Sequence, residues 1–412
     1  MKRVITLTFI VFFFPILTFA AEVEVLHFWT ATGEARALTE IKQAVQSKGH
    51  SWLDFAVAGG GGENARAVLT QRVVTGSAPT AAQMKGTEIR VWAEKGVLAN
   101  LDKLALAENW DALLPPSISS QMKYDGHYVA VPVNVHRLNW LWVNLDVLKA
   151  SGVQKVPTTL DELFLALNKI KKAGYIALAH GSQPWQDTIL FESMVLSVGG
   201  PEFYRRVFVD LDESALTSAT MQRAFALFRQ LKSYTDNESS GRDWDLTTAL
   251  VIRGKAGMQI MGDWAKGEFI AANMQAGKQY ACVPSPGTQG SFSYTVDAFA
   301  MFKVKSPEQI KAQEAFASSL LDPVVQQKFN QIKGSIPVRN DISSAGFDSC
   351  GQASMADFSE AGKNYAQVPS VATHMAMPLD KLTNVYELIS EFWNDSQLSP
   401  LKASQLLAEA VK

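Results

Sequence analysis

Two cysteines among 412 residues leave little room for sulfur chemistry. Cys282 and Cys350 cannot supply a four-cysteine zinc site or a disulfide scaffold, and they do not form a C-x-x-C redox pair. No sign of charge dominates: 38 Lys and Arg stand against 40 Asp and Glu, a net charge of −2, which leaves no electrostatic footprint for nucleic acid. Glycine (27) and proline (16) occur at ordinary levels, so a fibrous or low-complexity chain is excluded. The chain also lacks a G-x-S-x-G elbow, a P-loop and an H-E-x-x-H helix. Its six histidines, at 27, 50, 127, 136, 180 and 374, show no metal-ligand spacing. Nothing in this inventory demands an enzyme, a metal or a cofactor.

What is present begins at the amino terminus. Lys2 and Arg3 precede an apolar run over 4–17, then Thr18, Phe19, Ala20 and Ala21 stand before Glu22. A charged start, a short apolar run and small residues at its exit predict a secretory signal peptide over 1–20, cleaved after Ala20, with Ala21 as the alternative site. The run is shorter than the roughly 20 apolar residues of a membrane helix, and no other segment reaches that length. The expected destination is the periplasm. In an oxidising compartment Cys282 and Cys350 are most simply one bridge, two separate thiols being the alternative.

The rest alternates short apolar runs with helical periodicity. Segments 24–29 and 55–58 read as strands, and Leu38, Ile41 and Val45 mark one face of a helix between them. Further strands are expected at 131–135, 140–144, 176–181, 256–264 and 298–304. Thr159 with Glu162 predicts a capping box, Ser306-Pro307-Glu308-Gln309 a second helix start, and the tail from 379 reads as helical. Strands alternating with helices predict an α/β fold. No Pro- or Ser-rich linker separates the halves, so the chain is expected to cross between two lobes more than once.

Trp29, Trp185 and Trp264 each fall at or just beyond an expected strand end beside polar residues. Aromatic faces stack on sugar C–H faces while carboxylates, amides and lysines bond hydroxyls in fixed directions, so this pattern suits a carbohydrate as well as it suits core packing. Trp140 and Trp142 share one face of a strand and are expected in the core. The run Gly59 to Gly62 fails the dinucleotide pattern and reads as a flexible turn in preference to a ligand cradle. An exported carbohydrate-active enzyme is the alternative from another class, with Asp187, Glu192, Asp263 and Glu268 as carboxylates to consider.

Several ordered motifs together carry a more specific signal. His27-Phe28-Trp29-Thr30 with Gly33-Glu34, the glycine run, Ala81 to Gly86, Asn134 to Trp142, Gly262-Asp263-Trp264 and Lys333 to Arg339 resemble the sugar-binding proteins of bacterial ABC transporters. The likeness is to the periplasmic glucose/mannose-binding branch of the family that includes maltose-binding protein, and it spans the whole chain after the signal. It implies a two-lobed binding protein (type II-like), each lobe a mixed sheet flanked by helices, with the ligand in the cleft between them. The amino-terminal lobe is expected over 21–132 plus about 298–340, the carboxyl-terminal lobe over 133–297 plus about 341–412. By the same likeness Trp29 and Trp264 are stacking platforms, and Lys85, Lys333 and His374 bond sugar hydroxyls. Glu34, Asn134 and Asp297 are carried over with them. Thr32 departs from the glycine of relatives. The implied function is capture of a monosaccharide, glucose or mannose, by hinge closure and its delivery to an inner-membrane ABC permease. The receptor is expected to be a monomer without catalysis. An oligosaccharide, or an anion held by Lys85 and Lys333, are the other ligands that such a fold accommodates.

Overall fold

The computed structural model describes residues 21–412; the expected signal peptide and the Ala20 cleavage point lie outside the described residues. In chain order the strands are β1 (Glu22–His27), β2 (Ser51–Ala56), β3 (Ala81–Lys85), β4 (Lys123–Tyr124), β5 (His127–Tyr128), β6 (Ala130–Arg137), β7 (Trp140–Asn144), β8 (Ile176–Leu178), β9 (Ala256–Ile260), β10 (Tyr280–Pro284), β11 (Phe292–Met301) and β12 (Gln367–Pro369). They make two mixed sheets and a small β4–β5 hairpin. In the first sheet β2, β1 and β3 are parallel, β11 runs antiparallel to β3 and β6, and β12 continues parallel along the start of β11. In the second, β7 lies antiparallel between β10 and β9, and β8 pairs parallel with β9. The architecture is two α/β lobes, as the alternation of strand and helix signals predicts.

Local chemistry explains the elements. Leu38, Ile41 and Val45 are all buried on one face of helix Thr32–Ser47, where the 3.6-residue period placed them. Thr159 and Glu162 form the expected reciprocal cap, and Ser306 accepts from the Gln309 N–H ahead of helix Pro307–Leu320. Trp140 and Trp142 are buried in the second core, with Trp142 stacked on Phe269 at 5.5 Å.

Strand β11 is the main departure from the expected pattern. The sequence suggested a strand over 298–304, but it runs from Phe292 to Met301 and is buried throughout. Ser293, Thr295 and Asp297 break its apolar run, which is why a hydrophobicity reading misses its first half; the Ser293 and Asp297 N–H groups bond Asn139 and Asn134, while the buried Thr295 hydroxyl has no partner among the described residues.

The chain crosses between the sheets three times: at 138–139 from β6 to β7, at 285–291 from β10 to β11, and after β12. Strands β6 and β11 run unbroken through the positions 132/133 and 297/298 where the sequence placed lobe boundaries. Buried polar groups fasten the crossings. Asn139 donates to Thr288 Oγ1 at 2.8 Å and to the Ser291 carbonyl at 3.1 Å, and Arg137 donates to Asp357 at 2.6 Å while its guanidinium stacks on Trp140 and Phe292. Cys282 of β10 is bonded to Cys350 in helix Ser349–Lys363, which packs Phe358 against Phe292 of β11. The bridge therefore ties the second sheet to a helix lying on the first.

That crosslink closes a 68-residue separation, and a loop of such length lowers the entropy of the unfolded chain substantially. Replacing both cysteines by serine is expected to reduce the free energy of unfolding by about 4 kcal/mol. Denaturant titration of the double variant checks this, and stability equal to that of wild type would show that the bridge constrains nothing.

Candidate functional site

Between the lobes lies a cavity of about 140 Å³. Trp29, Glu34, Lys85, Trp264, Asp297, Lys333 and His374 line it, so the structure brings together seven of the residues singled out in the sequence. Asn134 does not line the cavity; it is fully buried one layer behind.

Strand register builds the polar floor. Asp297 of β11 faces Lys85 of β3 on one side and Asn134 of β6 on the other. A bulge beside this point opposes Ala298 to Pro132, so Val133 is the extra residue; a bulge of this kind re-aims the neighbouring side chains and accommodates a proline that a regular ladder excludes. Asp297 accepts from Gln83 Nε2 (3.3 Å) and Asn134 Nδ2 (3.3 Å) and is paired with His136 Nε2 at 3.0 Å. Burial alone would raise its pKa, yet the His136 bond and the charges of Lys85, His136 and Lys333 hold the carboxyl well below the usual carboxylate range. It is a fixed, ionised acceptor. His136 also bonds Asp263 through Nδ1, and the second oxygen of Asp263 accepts from the Arg137 N–H.

The two lysines differ in their partners. Lys333 ends helix Pro323–Lys333 and donates to Glu34 Oε1 at 3.0 Å, while Glu34 Oε2 accepts from the N–H groups of Thr30 and Ala31 and so caps its own helix. Lys85 lies 4.6 Å over the ring of Phe28. Among the described residues no carboxylate comes within ion-pair distance of it, and desolvation lowers its pKa despite Asp297 nearby. His374 is neutral at neutral pH, because burial, then the charges of Arg66 and Lys85, push its pKa well below the ordinary value. Arg66 Nη2 stands 3.0 and 3.1 Å from the two ring nitrogens of His374.

Aromatic walls face this floor. Trp264 packs edge-on to His136 at 5.1 Å, with Trp185 at 6.1 Å and Trp244 at 6.4 Å, and all three indoles line the cavity. The Trp264 indole N–H is buried without an acceptor among the described residues. Phe28 and Trp29 line the first-lobe side; Trp29 is only 2% exposed and rests against Phe299 and Phe329.

The glycine run differs from the flexible turn expected of it. Gly59 to Gly62 is no free turn: all four have positive φ and all line the cavity. A Cβ on Gly61 would come within 3.1 Å of Trp185 in the opposite lobe, and one on Gly62 within 3.1 Å of Phe28. The lobes meet equally closely at Gly33, where a Cβ would stand 2.6 Å from the Gly267 carbonyl carbon and where Glu268 accepts the Gly33 N–H at 2.7 Å.

Phe28, His136, Trp244, Asp243, Asp245 and Tyr386 also line the cavity and escaped the sequence reading as site residues. Trp244 sits between two aspartates, the same aromatic-beside-polar pattern as the other tryptophans, but it opens helix Trp244–Ile252 instead of ending a strand. Trp185 likewise opens helix Pro184–Phe208. The carboxylates considered for catalysis are each committed to fixed donors: Asp187 to His180 and Ser390, Glu192 to Tyr204 and Ser370, Asp263 to His136, Glu268 to Gly33.

Comparison with known proteins places this geometry in context. A "Probable sugar-binding periplasmic protein" of Brucella melitensis is 46% identical over 390 residues, covering 95% of this chain and 92% of the relative. A solved "Chitin oligosaccharide binding protein" superposes with a TM-score of 0.78 at 16% identity, covering 95% of this chain and 98% of its own. The bacterial solute receptor AcbH, whose description gives an exclusive preference for β-D-galactopyranose, also reaches 0.78 at 16% identity, covering 94% and 98%. These two likenesses are of fold. The family model for bacterial extracellular solute-binding proteins matches residues 54–327, and with two mixed α/β sheets enclosing a polar, aromatic-walled cleft, the chain belongs to that family.

Proposed function

We propose that this protein is a periplasmic receptor that captures a monosaccharide, glucose first and mannose second, and delivers it to an inner-membrane ABC importer. The observation that carries the reading is the cleft itself: tryptophan faces stand opposite an ionised Asp297, a neutral His374 and a lysine free of ion pairing. A neutral sugar needs aromatic faces for its C–H surfaces and fixed donors and acceptors for its hydroxyls. Its size fits as well, since about 140 Å³ corresponds to on the order of ten water positions, close to the twelve non-hydrogen atoms of a hexose. The sugar-binding name of the Brucella melitensis relative supports the ligand class.

In this reading Trp264 is the second-lobe platform, and Lys85, Asp297, Lys333 and His374 bond hydroxyls, with Trp29 and Glu34 at the first-lobe wall. Asn134 acts through Asp297. The first-sheet lobe closes on the second-sheet lobe about the crossings at 138–139 and 285–291, and the ligand favours the closed form by its greater affinity for it. No catalytic step is assigned.

Calorimetry of the refolded, sugar-free protein with glucose, mannose, galactose and maltose tests the reading. A one-to-one isotherm of micromolar or tighter affinity, about −8 kcal/mol, is expected for a monosaccharide. Heat only with inorganic phosphate or sulfate would transfer the site to an anion. Trp264→Ala should weaken sugar binding by about 1–3 kcal/mol, roughly a fivefold to hundredfold loss or more. Unchanged affinity in that folded variant would remove Trp264 from the site. Gly33→Ala probes closure without touching the sugar: its Cβ meets the Gly267 backbone, so affinity should fall while thermal stability holds, and wild-type affinity would show that this contact does not limit closure.

A further inference from the structure

We propose that Glu192 is a positioning residue of the sugar site: its buried carboxylate holds the segment 370–374 in the conformation that presents His374 to the ligand. The segment leaves β12, forms the third crossing and lines the cleft with Ala372, Thr373 and His374. On the first-lobe side the His374 carbonyl accepts from Thr87 N at 3.0 Å and from Thr87 Oγ1 at 3.2 Å. On the second-lobe side the bonds converge on Glu192, in the helical stretch between Pro184 and the break at Gly200, and on Tyr204, whose Oη accepts from the Val371 N–H at 3.0 Å.

Glu192 Oε2 accepts from the Val371 N–H (2.9 Å), the Ala372 N–H (3.3 Å), Ser370 Oγ (3.0 Å) and Tyr204 Oη (2.8 Å). Its Oε1 accepts from Ser370 Oγ (2.9 Å) and lies 3.4 Å from Ser293 Oγ. Tyr386 Oη, whose ring lines the cleft, donates to the Ala372 carbonyl at 2.7 Å and completes the clamp. A carboxylate that receives four donors on one oxygen is a far stronger acceptor than the neutral acid, so the clamp is tightest when Glu192 is ionised. Among the described residues no cation is within ion-pair distance of Glu192. The groups facing it are Tyr204, which lies beyond the break at Gly200 that divides Pro184–Phe208, Ser293 on β11, Ser370 and two backbone N–H groups on the segment, with Tyr386 beyond them. Burial, only partly offset by these bonds, pushes the Glu192 pKa up to about 7. Tyr204 keeps its proton, since burial and then the Glu192 charge raise its pKa well above the ordinary value.

Two consequences have opposite signs. Ligand affinity is expected to fall as pH drops from 8 to 6, because protonation weakens the acceptor that orders the segment. The fold gains in the same direction: a carboxyl whose folded-state pKa is raised contributes stability below its unfolded value of about 4.5 and loses it as pH rises through about 7. A purely structural role for Glu192 would therefore not weaken binding at pH 6.

This proposal rests on His374 meeting the sugar, which His374→Ala tests separately. Calorimetry with glucose at pH 6, 7 and 8 is expected to show wild-type affinity falling several-fold toward pH 6. Glu192→Gln, which reproduces the neutral acid's donor and acceptor, should bind at the level of the wild type at pH 6 and show no pH dependence. Glu192→Ala removes the acceptor of the Ala372 N–H and leaves the Val371 N–H only Tyr204 Oη, at 3.0 Å, so it should lose affinity by about tenfold or more, with faster amide hydrogen exchange at 372. Ser370→Ala, should Glu192→Ala fail to fold, is expected to lose affinity in part. An identical pH profile for wild type and Glu192→Gln overturns the proposal, as does wild-type affinity in a folded Glu192→Ala. If His374→Ala also binds as wild type, the fault lies in the assignment of His374 to the site.

Discussion

The cleft depends on one buried carboxylate. Asp297 sits in the middle of β11 in the first sheet, flanked in register by Lys85 and Asn134 and paired with His136, which also reaches Asp263 of the second lobe. An ionised group so deep is tolerable only with several donors and neighbouring positive charge, and those same groups form the cleft floor. Removing one partner would leave an uncompensated buried charge. The network therefore makes the lobe junction and the site a single structure, and the bulge at Val133 is what lets strand geometry deliver it.

Around that floor the lobes meet through glycines and enclose aromatic rings. Gly33 against Gly267, Gly61 against Trp185, and Gly334, at the αL end of the Lys333 helix, against the Asp263 carbonyl are positions where a side chain would hold the halves apart. Close backbone approach lets tryptophans from the second lobe lie beside acceptors from the first. Enclosure in turn strengthens each hydrogen bond by removing competing water. The disulfide between Cys282 and Cys350 and the Arg137 to Asp357 pair lie beside the crossings, away from the cleft lining, and leave the opposed faces free to approach.

Much of this was legible in the sequence, for identifiable reasons. Helix faces such as Leu38, Ile41 and Val45, and caps such as Thr159 with Glu162, follow from local chemistry and needed no tertiary context. Tryptophans beside polar residues pointed to Trp264, the ordered motifs led to Lys85 and Lys333, and the likeness as a whole carried Asp297 with them. The reading failed where tertiary contacts decide. Polar residues in the first half of β11 hid a buried strand, because their partners come from β6 and distant loops. The glycine run looked free because nothing local shows that Trp185 would pack on it. Asn134 read as a ligand contact because a motif fixes a position in the chain, whereas the strand register puts its amide behind Asp297. Trp244 and Tyr386 open or ride on helices and carry no strand-end signal.

The central claim is that a sugar is held by closure of the two lobes on this floor, and small-angle X-ray scattering tests it most directly. Refolded, sugar-free protein would be measured before and after saturation with glucose, with binding verified on the same sample. The account predicts a smaller radius of gyration with sugar, and the shift should shrink in Gly33→Ala. Binding with no change in molecular dimensions would contradict it.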